Sequence, residues 1–436
     1  MKKVHLLPLT ALALFAMTAC GTQGGGSDSG DKTPYANAVK VGLICLHDEN
    51  STYDANFIKA MKEAVKNLGR KVIFEDNCLL TGVNEDNACY EAAKDLANKG
   101  CEVIFADSFG HDSFMLKAAK EFKNIEFCHA TGTQSTVNED QKNFHNAFAS
   151  IYEGRFLAGY AAGLKLWEAN VSAGKTAADF PTEKVGYVGA YPYAEVKSGY
   201  TSWFLGLRAA LREFSVDSNK VTMDVRFTSS WYDPTAEANA ASALINDGAV
   251  LISQHADSMG APGVCESKNI PNVTYNVETG DECAKTYLAY SRINWAPYYE
   301  GVINQVYNRK TGLSDGLIES NWTGNMATDS VQYNINWNNL TSDATRLADY
   351  KAKVASIEKG IVQGYLKVFD TSTFTVKGET VTSYLADVID DGTFTPDTEV
   401  ILQGIGAAPS FFNESYYRSA PYFDLDIDGI TIKSSN

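Results

Sequence analysis

Two aspartates set in matching phrases are the residues of this chain best placed to do chemistry. Asp107 lies in EAAKDLANKGCEVIFADSFG (Glu91–Gly110) and Asp257 in NAASALINDGAVLISQHADSMG (Asn239–Gly260). Each phrase runs through an alanine-rich helical pattern, a Gly turn, a β-branched apolar run and then Ala-Asp-Ser-x-Gly. Two carboxylates facing one cleft could serve a hydrolase as acid and base. Carboxylates at strand ends also accept hydrogen bonds from ligand or backbone, which needs no activation. Catalysis needs an activated group, and the six histidines (His5, His47, His111, His129, His145 and His255) show no HExxH spacing, nor is there a GxSxG. Gly174-Lys175-Thr176 fails as a phosphate loop, because Ala169 stands where the motif needs Gly and a helical pattern precedes it. The expectation is a binding site with no catalytic residue, no metal and no cofactor.

Aromatic residues fall at the same kind of position. Tyr53 lies in HDENSTYDAN (His47–Asn56), and Phe109 follows the first Ala-Asp-Ser. Trp231 lies in SSWYDP (Ser229–Pro234) and Trp295 in NWAPYY (Asn294–Tyr299). Each has a polar companion: Asp54, Asp107, Asp233 or Asn294. Flat faces beside carboxylates and amides suit a planar, polar ring system, and stacking on such a face contributes about 1–3 kcal/mol per base.

The elements that must position these residues are also duplicated. Lys40–Leu43 precedes a helical pattern over Phe57–Leu68, and Lys184–Tyr187 precedes one over Ser202–Phe214. Repeated βαβ segments predict an α/β protein of two similar Rossmann-like lobes. Ligands of such sheets bind beyond the carboxyl ends of the strands, so both Ala-Asp-Ser motifs would look into one cleft. Strand and helix patterns alternate from Val39 to about Lys310. The Gly- and Ala-rich helix Tyr152–Ala169 is suited to close packing at a lobe junction. Beyond Thr311 the periodicity weakens to a strand over Val331–Trp337 and a helix over Ala344–Lys359, then an aromatic tail over Gly392–Ile432 read as a cap over both lobes. The expected division is 39–150 plus 285–325 for lobe 1 and 151–284 plus 326–345 for lobe 2, with 346–436 as C-terminal helix and capping extension.

Residues 1–20 read as a separate message. Lys2 and Lys3 precede the apolar run Leu6–Ala19, and Met17-Thr18-Ala19-Cys20 resembles a bacterial lipobox. Cys20 is therefore expected to carry lipid, with 21–38 as a flexible tether and the body on the extracytoplasmic face of a cell-envelope membrane. A formal net charge of −16 argues against nucleic acid as a partner. Seven further cysteines have neither zinc nor redox spacing; Cys78 with Cys89, and Cys265 with Cys283, are candidate disulfides.

FADSFG (Phe105–Gly110), CHATG (Cys128–Gly132), YEGRFLAG (Tyr152–Gly159), SSWYDPTAE (Ser229–Glu237), QHADS (Gln254–Ser258) and NWAPYY, in this order, resemble the basic membrane protein family. These are lipoproteins that serve as substrate-binding components of ABC transporters and have the type I periplasmic-binding fold, with hinge crossovers between the lobes. The resemblance implies a purine nucleoside or purine base as small-molecule ligand and a membrane permease as partner. It implies that Tyr53 stacks on one face of the base and Trp231 on the other, with Asp54 beside the ligand. Asn276 and Glu278, in TYNVE (Thr274–Glu278), match an acidic turn that can hold ribose hydroxyls. Ser51 stands where the purine-base members tend to have Trp. Arg292 is the nearest cation to where nucleoside members have Lys, so base versus nucleoside stays open. The alternatives are a surface sensing or adhesion lipoprotein of the same fold, or transport of a small molecule outside the purines.

Overall fold

The computed structural model describes residues 37–390, 392–406 and 408–434, so the lipobox and Cys20 lie outside the described residues. Two seven-stranded sheets organise the chain. The first runs in the order Asn321–Gly324, Phe144–Ala149, Glu126–Ala130, Val103–Ala106, Val39–Ile44 and Val72–Ile73, all parallel, with Leu79–Leu80 also paired to Val39–Ile44. The second runs Val331–Ile335, Tyr287–Ile293, Asn272–Tyr275, Ala249–Gln254, Glu183–Gly189, Val221–Phe227 and Ile430–Ile432. Within it, only Val331–Ile335 pairs antiparallel. Near-continuous apolar strands such as Val103–Ala106 suit parallel sheets covered by helices on both faces.

The repeat in the sequence is a repeat in packing. A Cβ on Gly42 would stand 2.8 Å from Leu96 Cδ1, and one on Gly186 3.0 Å from Leu244 Cβ. Leu96 and Leu244 are the matching leucines of the two phrases, so each lobe rests the same helix on a side-chain-free stretch of its first strand.

The long glycine-rich helix, Tyr152–Ser172, does not pack at the lobe junction as expected. It lies inside lobe 2 against the helix Ala194–Glu213. A Cβ on Gly159 would meet the Trp203 carbonyl oxygen at 1.9 Å, and one on Gly206 the Phe156 carbonyl oxygen at 1.9 Å. Only glycine allows the two backbones to approach so closely.

The chain crosses between lobes at Ser150, Asn294 and near Ser330. Ser150 N–H donates to the Gly324 carbonyl (2.8 Å) and Asn294 N–H to the Ser330 carbonyl (2.9 Å), which binds the crossovers side by side. Strand Tyr287–Ile293 belongs to the second sheet, so the return to lobe 1 falls at Asn294 rather than at 285. The helix Ala296–Thr311 then packs on lobe 1 against Thr52–Leu68.

The tail is more than a cap. Phe369 stacks on Phe423 (centroids 4.4 Å apart) and both join the hydrophobic core of lobe 2. Its last strand, Ile430–Ile432, extends the second sheet beside Val221–Phe227. Seven cysteines are buried free thiols. The neighbour of Cys78 is Cys101 (Sγ–Sγ 3.7 Å), not Cys89, whose thiol faces the His111 carbonyl. No helix among the described residues is long and apolar enough to cross a membrane.

Candidate functional site

A cavity of about 510 Å³ lies between the lobes at the carboxyl ends of both sheets. Tyr53, Asp54, Ser108 and Phe109 line it from lobe 1, and Tyr193, Glu195, Trp231, His255 and Asp257 from lobe 2. Its size and mixed lining fall in the range of small-molecule sites. Five of the ten expected ligand residues therefore meet there: Tyr53, Asp54, Phe109, Trp231 and Asp257.

Aromatic rings form the walls. Tyr191 stacks on Tyr193 (5.2 Å, interplanar 14°), and Trp231 sets its edge against Tyr191 at 5.0 Å. Phe109 of lobe 1 meets Tyr193 of lobe 2 and His47 meets Tyr232, each with ring centroids 5.5 Å apart, so ring pairs span the cleft at two points. The lobes also share a main-chain hydrogen bond, Thr52 N–H to the Asp257 carbonyl (2.8 Å). Tyr53 is fixed from below by its hydroxyl, which donates to the Asp107 carbonyl at 2.8 Å.

The carboxylates differ in state. Ser51 caps the helix Thr52–Leu68, and its hydroxyl donates to Asp54 Oδ2 (2.5 Å), while His47 N–H donates to Asp54 Oδ1 (2.8 Å). Burial pushes the Asp54 carboxyl up, but the hydrogen bonds from His47 and Ser51 outweigh it and hold the group below its ordinary range. Asp107 is fully buried behind this loop; Leu46 N–H donates to Oδ1 (3.2 Å) and Oδ2 has no partner. Burial, then the charge of Asp54, pushes its carboxyl well up. Asp257 is pushed well up by burial and by the charges of Asp54, Glu237 and Glu195. Cys45, Asp54 and Asp107 bring donor atoms within 4.8 Å of one another, the one such trio among the described residues. Burial and Asp107 push the Cys45 thiol up.

Lobe 2 holds a polar chain absent from the expectation. The Arg155 guanidinium donates to the Gln254 carbonyl (2.9 Å) and to His255 Nδ1 (3.0 Å), and lies 3.5 Å from the Tyr275 ring centre. With Nδ1 accepting, His255 donates from Nε2 to Glu195 (2.7 Å). Burial lowers the His255 pKa, in keeping with a neutral ring. A buried cation thus fixes a neutral imidazole, which in turn aims Glu195 at the cavity. Arg155 and His255 stood inside YEGRFLAG and QHADS; the signal for Arg155 was a cation in a helix otherwise rich in Gly, Ala and apolar residues, and His255 sat two residues before the predicted Asp257.

The other expected residues sit elsewhere. Asn276 stands behind the wall, buried at φ 68°, and donates to Asp257 Oδ1 (3.4 Å). Asp233 is the N-cap of the helix Pro234–Asn246, accepting from Thr235 and Ala236 N–H (3.0 and 2.9 Å), with Glu237 accepting from Asp233 N–H (3.1 Å). That reciprocal cap engages Oδ1 twice, and Asp233 does not line the cavity. Glu278 is exposed on the turn after Asn272–Tyr275 and does not line the cavity. Trp295 is buried in lobe 1, stacked on Phe57 at 4.5 Å, so its ring supports the helix that carries Tyr53. Residues of the C-terminal extension, which were expected only to cap, line the cavity as well: Asp387, Asp390, Phe394, Arg418, Tyr422 and Asp424.

Comparisons with known proteins fit this architecture. An ABC transporter solute-binding protein of Conexibacter woesei shares the fold at TM-score 0.55 and 18% identity, covering 76% of this chain and 98% of that one. One from Aeropyrum pernix K1 does so at TM-score 0.57 and 14% identity, covering 76% and 93%. A purine-binding protein of Brucella abortus is 30% identical over 347 residues, 78% of this chain and 88% of that protein. A Haloferax volcanii protein named as an ABC transporter glucose-binding protein is 28% identical over 274 residues, 63% of this chain and 60% of that protein. The family described as ABC transporter substrate-binding protein PnrA-like matches residues 41–316. With a shared two-lobed fold and a match over more than half its length, the chain belongs to that Bmp family of ABC transporter substrate-binding proteins.

Proposed function

We propose that this protein captures a purine base or purine nucleoside in the interlobe cleft and hands it to a membrane permease. In this reading Cys20 anchors it by lipid to the extracytoplasmic face of the cell envelope, and no turnover takes place. The observation that carries the reading is the pairing of ring walls with acceptors in one cavity: Tyr53, Phe109, Tyr193 and Trp231 around Asp54, Glu195 and Asp257. A planar heterocycle stacks on such walls, and its ring and exocyclic N–H groups donate to these carboxyl oxygens. The purine-binding Brucella relative points the same way.

A thermal-shift screen of the soluble chain from Thr33 against nucleosides, nucleobases, sugars and amino acids tests it, since a ligand of the folded state raises the melting midpoint. Stabilisation by adenosine, inosine or guanosine, lost in Trp231→Ala, is the expected result. A response to free bases alone narrows the ligand to purine bases. A response to glucose with none to purines, as the Haloferax relative's name would have it, replaces the ligand and leaves the fold.

A further inference from the structure

The family match ends at residue 316, yet the cavity continues into the tail beyond it. The tail is rooted in lobe 2 through Phe369, Phe423 and the strand Ile430–Ile432. Lys197 of lobe 2 donates to the Asp424 carbonyl (2.9 Å) and to Asp426 (2.8 Å). From that root the tail reaches lobe 1 at two points. Asp390 Oδ2 accepts from the Thr133 hydroxyl (2.5 Å) and the Gln134 amide (3.1 Å), and Ser419 N–H donates to Asn321 (2.9 Å). One segment therefore spans the mouth of the cleft and closes the outer side of the cavity.

The charge of this wall has a definite sign. Asp387, Asp390 and Asp424 face the cavity that Asp54 and Glu195 line more deeply. The permanent cations lining it are Lys197 and Arg418. Lys197 is held by Asp424 and Asp426, and Arg418 donates to the carbonyls of Val388, Ala420 and Pro421 (2.8 to 3.2 Å). Arg418 thus ties two loops of the tail together with its donors. A negative group brought to the mouth would meet carboxylates, while most donors of the two cations are taken up by the contacts of Lys197 and Arg418 with the tail.

We infer that the C-terminal extension is a wall of the ligand site, and that Asp390 and its neighbouring carboxylates select ligands carrying hydroxyl or amine groups, not negative charge, at the cleft mouth. For a purine ligand this favours a nucleoside over its 5′-phosphate; that choice of ligand rests on the function proposed above, whereas the wall itself does not.

The test is calorimetric titration of the full soluble chain and its Asp390→Asn and Asp390→Lys variants with adenosine and adenosine 5′-monophosphate. Each variant's melting midpoint without ligand is measured alongside. The wild-type chain is expected to hold the monophosphate at least about 100-fold more weakly than adenosine. Asp390→Lys should narrow that gap to about tenfold or less, with Asp390→Asn between the two. An equal affinity for both ligands in the wild type overturns the inference, as does an unchanged gap in folded Asp390→Lys. If the lysine variant does not fold, an unchanged gap in Asp390→Asn overturns it. If the wild type binds neither purine, the purine reading fails, and glucose with glucose 6-phosphate runs through the same variants. Charge discrimination that tracks residue 390 then upholds the wall, and discrimination indifferent to it, or no binding of either pair, overturns it.

Discussion

The two lobes carry the same Ala-Asp-Ser phrase, but they do not use its aspartate alike. Asp107 comes seven residues after Gly100, and Asp257 nine after Gly248. The hydrogen-bond ladder shows what the extra two do. Asp107 N–H bonds to the Ile44 carbonyl, and its register partner in lobe 2 is His255, whose N–H bonds to Val188. Asp107 therefore ends a strand and is buried beneath Tyr53 and Asp54, whereas Asp257 is carried two residues further and lines the cavity. The two scaffolds are equivalent, and two extra residues in lobe 2 decide which acid lines the cavity. Lobe 1 presents a packed, capped surface; lobe 2 presents a polar chain ending at Glu195 and a turn that carries Asp257 to the cavity.

The largest expected effect separates the lobes by packing. Gly206→Val drives a side chain into the Phe156 carbonyl, in a helix pair only lobe 2 has, and should cost at least about 3 kcal/mol. Gly42→Ala in lobe 1 meets the movable tip of Leu96 and should cost about 1 kcal/mol. Equal urea midpoints for the two variants would contradict the asymmetry.

Ligand affinity comes next. Removing the wall in Trp231→Ala should weaken a purine by about 1–3 kcal/mol, measured by titration calorimetry. Asp257→Asn should weaken it by about 1–2 kcal/mol, while Asp107→Asn leaves affinity near the wild type. If Asp107→Asn weakens binding as much as Asp257→Asn, the division of labour between the two acids is wrong.

A pH series sharpens the same contrast through stability. The Asp107 carboxyl is raised in the folded state by burial and by Asp54, so its contribution to stability is fully present below the ordinary carboxylate range, near 4, and is lost as pH rises toward the raised folded value. Asp54 has the opposite sign: its lowered carboxyl stabilises above about pH 4, and that contribution disappears as pH falls through its folded value. Asp107→Asn should flatten the loss of urea midpoint between pH 4 and 8, and Asp54→Asn should remove part of the acid-side loss. The smallest effect belongs to Asp233→Ala, which loses a helix cap worth about 1 kcal/mol and leaves ligand affinity unchanged.

The amino-acid sequence made the paired scaffolds legible because a βαβ repeat writes itself in periodicity and in Gly turns. It also marked the loops from which Tyr53, Phe109, Trp231 and Asp257 reach the cavity, since those follow strand ends. It was silent on direction. Trp295 follows a strand end too, yet the next residue opens a helix and the ring turns into the core against Phe57. Asp233 carried its own explanation, because Asp-Pro-Thr-Ala-Glu is a cap signal that competes with any ligand for the same carboxylate. The tail was opaque for a different reason: its contacts are long-range pairs such as Phe369 with Phe423 and Thr133 with Asp390, and no local period encodes them.

Asp257 turns its side chain to the cavity and gives its carbonyl to Thr52 across the cleft. In the proposed function, recognition at that position would rest on a replaceable group, while lobe contact rests on an atom every amino acid possesses. A descendant of this chain could exchange the aspartate to follow a new nutrient without rebuilding the latch, so taste and grip can evolve independently at a single residue.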